Sequence, residues 1–134
     1  MAEVFELEIA TPERLLVRER VTEAQIPAGN GYLGILSGHA PLLSELGTGD
    51  LTYVSEGRRR HLAISGGWLE VRGDSVRVLT GTAERADEID LRRAEEAMKR
   101  ARTRLERLDP TVDVARALNA MQRAQARLEA ASRK

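Results

Sequence analysis

Polarity alternates with a period of two at the start of the chain: Phe5, Leu7 and Ile9 are apolar, Glu6 and Glu8 are charged, and Thr11-Pro12 closes the run. Val21 to Ile26 reads as a second strand, stopped by Pro27 and a Gly29-Asn30-Gly31 turn. Leu51 to Val54, Leu62 to Ile64, Trp68 to Val71 and Val76 to Thr80 follow, separated by Ser55-Glu56-Gly57, Ser65-Gly66-Gly67 and Gly73-Asp74-Ser75. Short strands joined by glycine turns at this spacing predict an antiparallel β-sandwich or barrel over residues 1–86.

After Asp87 the period changes, and no glycine occurs beyond residue 81. Leu91, Ala94, Met98, Ala101, Leu105 and Leu108 step by three and four, and Val114, Ala117, Met121, Ala124, Leu128 and Ala131 repeat the steps after Asp109-Pro110-Thr111. Asp90 and Asp113 stand where N-caps belong, and Pro110 marks the turn. Folded back antiparallel, the two seams set large against small: Leu91 with Ala131, Ala94 with Leu128, Met98 with Ala124, Ala101 with Met121, Leu105 with Ala117. The expected class is therefore α+β, segregated: a β-sandwich over 1–86 and an antiparallel two-helix hairpin over 87–134. With five of twelve seam positions alanine, each contributes well under the ~1.5–3 kcal/mol of a buried leucine. Such a hairpin should pack closely and still be able to open.

Charge separates the same two parts. Residues 1–90 carry 9 Arg against 15 Asp/Glu, and 91–134 carry 12 Lys/Arg against 6 Asp/Glu, so −6 faces +6. A basic appendage on an acidic body suggests an anionic partner, either a protein surface or a phosphate ligand. The absence of cysteine, with only His39 and His61 present, argues against disulfide, thiol and Cys/His zinc chemistry. Met1 to Ala10 carries three glutamates and resembles neither a secretory signal nor a transit peptide. No apolar run approaches the ~20 residues of a membrane helix, so membrane association is expected only through a partner.

Candidate chemistry centres on arginine. In the antiparallel hairpin Arg93 and Arg100 on one helix come level with Arg123 and Arg127 on the other. Guanidiniums so placed repel one another unless an anion lies between them, and a triphosphate suits their bidentate hydrogen bonding. A solvated basic face explains the same spacing. Gly38-His39-Ala40-Pro41 brings no neighbouring acid or nucleophile to its histidine, so a structural or interface role is the better reading. Arg72-Gly73-Asp74 falls in an expected hairpin turn, and Arg58-Arg59-Arg60 reads as an exposed strand flank. There is no glycine-rich phosphate loop followed by lysine, which disfavours an autonomous nucleotide hydrolase. The four aromatics, Phe5, Tyr32, Tyr53 and Trp68, all lie outside the basic half, a poor arrangement for nucleic acid.

Three stretches taken together resemble the epsilon subunit family of bacterial F-type ATP synthases: Gly34-Ile35-Leu36-Ser37-Gly38-His39-Ala40-Pro41-Leu42, Ser65-Gly66-Gly67-Trp68-Leu69-Glu70-Val71, and Ala83-Glu84-Arg85-Ala86-Asp87-Glu88-Ile89-Asp90. The resemblance implies a non-catalytic rotor subunit at the cytoplasmic face of the bacterial inner membrane. Its sandwich would dock on the gamma subunit and the c-ring, and its hairpin would reach an acidic loop of the beta subunit and block ATP hydrolysis. Tyr32, Gly38, His39 and Pro41 would lie at the subunit interface. Ser37 stands where the family commonly has proline, and Tyr32 where it commonly has an acid.

Some members bind ATP in the folded-down hairpin through an I/L-D-x-x-R-A motif. Ile89, Asp90, Arg93 and Ala94 complete that motif, and Glu84, Arg100, Arg123 and Arg127 fall where the further contacts would be. The resemblance thus implies ATP as a regulatory ligand, with no cofactor required. A free-standing nucleotide-sensing or scaffold protein is the alternative reading.

Overall fold

The computed structural model describes residues 3–107 and 109–133, so Leu108, assigned above to the first helical seam, lies outside the described residues. Eight strands come first: β1 Phe5–Ala10, β2 Leu15–Val21, β3 Glu23–Ala28, β4 Gly31–Leu36, β5 Leu42–Glu45, β6 Thr48–Ser55, β7 Arg58–Arg72 and β8 Ser75–Arg85. A 3-10 turn, Ala86–Glu88, leads into helices α1 (Leu91–Glu106) and α2 (Val114–Ser132). The hydrogen-bonded order is β2-β1-β8-β7-β6-β3-β4, with β5 on β7. The sandwich followed by a helical hairpin is the architecture expected.

The core follows the alternation. Phe5, Leu7 and Ile9 are buried while Glu6 and Glu8 are only partly covered, and Val21, Ile26, Ile35, Leu51, Leu62, Ile64, Leu69, Val76 and Val78 complete one apolar cluster. At ~1.5–3 kcal/mol for each Leu- or Ile-sized side chain, this cluster is the main favourable term holding the strands together.

Strands β2, β4 and β5 are not among those read from the pattern, and two expected strand ends do not hold. Ser65-Gly66-Gly67 does not separate two strands: β7 runs unbroken from Arg58 to Arg72, pairing with β6 through Ser65 and with β5 from Trp68. Gly66 and Gly67 take φ of +69° and +113°, a left-handed kink that only glycine enters without strain and that lets one strand serve both layers. Pro27 likewise lies inside β3 rather than ending it, because Gly31–Leu36 returns beside it as β4 and the turn comes at Gly29-Asn30. One pairing, β1 with β8, is parallel in an otherwise antiparallel sandwich.

The hairpin caps hold as expected. Asp90 accepts from the Arg93 amide at 3.2 Å and Asp113 from the Arg116 amide at 3.1 Å. In the connecting turn the Asp109 carboxylate accepts from the Thr111 amide and hydroxyl, which keep its pKa below the usual carboxylate range. Of the seam residues, Ala94, Met98, Ala101, Ala117, Ala124 and Ala131 are buried, whereas Leu91 and Val114 at the helix starts are exposed. Helix α2 has a second buried face: Ala126 and Ala130 pack with Ala131 on Ala63 of β7 and on Ile89. The hairpin is therefore docked on the sandwich through alanines, which let the helix approach the sheet closely but bury little area per residue.

Candidate functional site

Outward side chains of β7 and β8 form one wall of a cleft beneath the hairpin. Ala63 is opposite Glu84 and Ser65 opposite Thr82 in the strand register. Helix α1 adds Ala97, Arg100, Ala101 and Arg104, and α2 adds Ala120, Arg123, Ala124, Ala126 and Arg127. The cleft measures about 380 Å³, within the range of small-molecule sites. Four of the expected nucleotide contacts, Glu84, Arg100, Arg123 and Arg127, thus come together, and Arg104 joins them.

Four guanidiniums against one carboxylate leave the cleft strongly positive. Arg127 Nε lies 2.8 Å from Glu84 Oε1, yet its N–H is not aimed at that oxygen and makes no hydrogen bond, so the contact is an ion pair only. Arg127 Nη2 makes the hydrogen bond, donating to Glu84 Oε2 at 3.4 Å. A buried N–H without an acceptor carries a desolvation cost of ~1–3 kcal/mol that an incoming acceptor would remove.

Ile89, Asp90, Arg93 and Ala94 do not line this cleft. Ile89 is buried against Ala63 and α2, Asp90 caps α1, and Ala94 is fully buried where the helices meet; Arg93 is exposed. The motif thus fixes where α1 starts and how closely α2 can approach it. Asp90→Ala should cost the hairpin about 1 kcal/mol, read as faster amide exchange in α1 with the sandwich unchanged.

The expected interface residues are split by the structure. Tyr32 is at the start of β4, whereas Gly38, His39 and Pro41 follow its end, about 13 Å further on by strand rise. Tyr32 also turns its phenol inward, where the oxygen accepts from the Asp50 amide at 3.0 Å. In the loop, Gly38 has φ +83° and His39 Nδ1 lies 2.7 Å from the Ala40 carbonyl oxygen.

A surface that the sequence did not reveal lies on the outer side of the sheet beyond the Gly66-Gly67 kink of β7. Trp68, Leu79, Ala10 and Leu15 are consecutive cross-strand neighbours on β7, β8, β1 and β2. Trp68, Leu79 and Leu15 are each about half exposed, and Leu43 of β5 stands exposed nearby. A contiguous apolar row on a sheet otherwise studded with charge is the mark of a protein-docking face. The signal was present in β7 and β8, but the outward positions were legible only once the register was known.

Among the described residues, the buried cluster of Asp50, Thr52 and His61 is not arranged as a hydrolytic centre. Thr52 Oγ1 and both Asp50 oxygens approach the same nitrogen of His61, Nδ1, at 3.1, 3.3 and 3.2 Å. A nucleophile-base relay needs the acid and the nucleophile on different ring nitrogens.

Comparison with known proteins agrees with this architecture. The profile described as "ATP synthase, Delta/Epsilon chain, beta-sandwich domain" matches residues 4–86, and that of the "long alpha-helix domain" matches residues 87–132. The ATP synthase epsilon chain of Solibacter usitatus is 56% identical over 112 residues, covering 84% of this chain and 82% of its own. That of Koribacter versatilis is 50% identical over 110 residues, covering 82% and 78%. Among solved structures, a chain of the Euglena gracilis mitochondrial ATP synthase, in an assembly of OSCP, F1 and c-ring, superposes with a TM-score of 0.83 at 27% identity, covering 98% of this chain and 82% of that one. On sequence and fold together, the chain belongs to the delta/epsilon chain family of ATP synthase, as an epsilon chain.

Proposed function

We propose that this chain is a non-catalytic central-stalk subunit of a proton-translocating F-type ATP synthase, coupling rotation to ATP synthesis and restraining ATP hydrolysis through its C-terminal helices. ATP is its regulatory ligand and favours the folded-down hairpin. The observation that carries the nucleotide reading is the cleft in which Arg100, Arg104, Arg123 and Arg127 converge from both helices over Glu84.

Phosphate oxygens in the cleft would accept from guanidiniums on α1 and α2 at once, so the ligand would tie the two helices together. A carboxylate repels polyphosphate, so Glu84 suits the donor-bearing end of the ligand, its sugar hydroxyls or exocyclic amine. Because the released hairpin would dismantle the cleft, ATP binds only the docked form and shifts the population toward it. Falling ATP would free the basic helices to meet an acidic surface, for which the beta subunit is the expected partner. No described helix is long and apolar enough to cross a membrane, and membrane association at the cytoplasmic face would run through gamma and the c-ring.

The apolar row around Trp68 and Leu79 fits the gamma subunit as the docking partner. A Trp68→Asp/Leu79→Asp variant places two charges in that face without touching the core. Co-expressed with its gamma subunit, the wild-type chain should co-purify stoichiometrically, and the variant should be retained at least tenfold less. Equal retention of a folded variant would move the gamma interface elsewhere, and no retention of the wild type would favour a free-standing nucleotide sensor.

A further inference from the structure

Asp50 is almost completely buried, on the outer face of β6 where α2 crosses the sheet. Its carboxylate has two cationic or proton-donating neighbours from different parts of the chain. His61 Nδ1 approaches from β7 at 3.2 Å, and Arg133 Nη1, at the end of α2, donates to Oδ2 at 3.2 Å. Tyr32 of β4 closes the site by accepting from the Asp50 amide, and Glu129 of α2 is the opposing anion nearby. Burial raises the Asp50 pKa, and His61 and Arg133 act against that rise.

We infer that Asp50 is the receptor of a latch: Arg133, set against its buried carboxylate, pins the last turn of α2 to the sandwich whether or not nucleotide is bound. The contact joins residues 83 apart and sits at the end of the hairpin remote from the connecting turn. Arg133 is the C-cap residue of α2, its backbone N–H donating to the Ala130 carbonyl oxygen, so one residue both ends the helix and, through its guanidinium, reaches Asp50. Between the latch and the arginine cleft, α2 touches the sandwich mainly through alanines. Two polar anchors therefore hold a helix whose apolar docking contributes little, and losing either should loosen it. The arrangement gives release an order: the nucleotide anchor responds to ligand concentration, whereas the latch sets how tightly the unliganded hairpin is held.

This inference rests on the reading of the hairpin as a movable element, and its test is made without nucleotide. Amide hydrogen exchange of the full chain should show residues 125–132 exchanging about five- to tenfold faster in Arg133→Ala and in Asp50→Asn. The double variant should be no faster than the faster single one, as expected of two partners in one contact, and Arg133→Lys should restore part of the protection. Strand amides of β7 and β8 serve as the control that the sandwich remains folded. Unchanged exchange of α2 in Arg133→Ala, or additive effects in the double variant, would overturn the latch. Adding ATP afterwards separates the two ideas: protection of α2 without response to ATP would remove the nucleotide reading and leave the latch standing.

Discussion

ATP titrated calorimetrically into the isolated chain should bind saturably, and the Arg123→Ala/Arg127→Ala variant should lose that binding by at least about a hundredfold. The magnitude follows from the cleft. Each guanidinium offers charge-assisted hydrogen bonds worth ~1.5–3 kcal/mol, and two of the four arginines that line the site are removed. The effects will not simply add, because Arg127 is already engaged by Glu84. Removing it frees that carboxylate to repel phosphate, so the loss should exceed the hydrogen bonds alone. Arg93→Ala is the internal contrast: Arg93 is exposed and away from the cleft lining, and its removal should weaken ATP binding by no more than about threefold, the scale of a screened surface charge. If the double variant binds ATP as well as the wild type does, the converging arginines are a basic face and the hairpin is governed by its protein partners.

How much of this was legible in the chain depends on the range of each interaction. The period-two run of β1 and the caps Asp90 and Asp113 are local signals, and each holds in the structure. Strand β2 hid because Glu19 takes the position between Val17 and Val21 opposite buried Leu7, and because the pairing shifts at Leu16, where two successive residues, Leu16 and Val17, are buried and break the alternation. The second face of α2 hid for a different reason. Ala126 and Ala130 are favoured in a helix on any face because alanine is the best helix former, so their presence there does not mark a second buried face. Arg100, Arg123 and Arg127 were readable from helical spacing once a hairpin was assumed, whereas Arg104 completes the cleft from one turn further along α1 and was missed. Asp50, His61 and Arg133 meet only in three dimensions and carry no sequence signal.

The kink in β7 gives the largest expected effect on stability. Gly67→Ala should destabilise the sandwich by at least about 3 kcal/mol, a combined penalty of overpacking and backbone strain. At φ +113° an alanine is strained before any contact is considered, and its Cβ would lie 1.9 Å from the Leu79 carbonyl oxygen and 2.8 Å from the Thr80 Cα. Both neighbours are backbone of the paired strand β8, so no side chain can turn aside. Relief would require β7 and β8 to separate where the chain passes between the layers, breaking the Gly67–Thr80 and Trp68–Leu79 register. For a sandwich of this size the loss corresponds to a fall in melting temperature of more than about 12 °C. Gly66 supplies the comparison within the same kink. Its φ is also positive, at +69°, but a Cβ there meets nothing within 4 Å, so Gly66→Ala should cost only about 1 kcal/mol of backbone strain. Thermal unfolding of the two variants side by side therefore tests the cause. A large drop for Gly67→Ala and a small one for Gly66→Ala would identify the close approach of β8 as the constraint, whereas equal drops would assign it to the left-handed backbone alone.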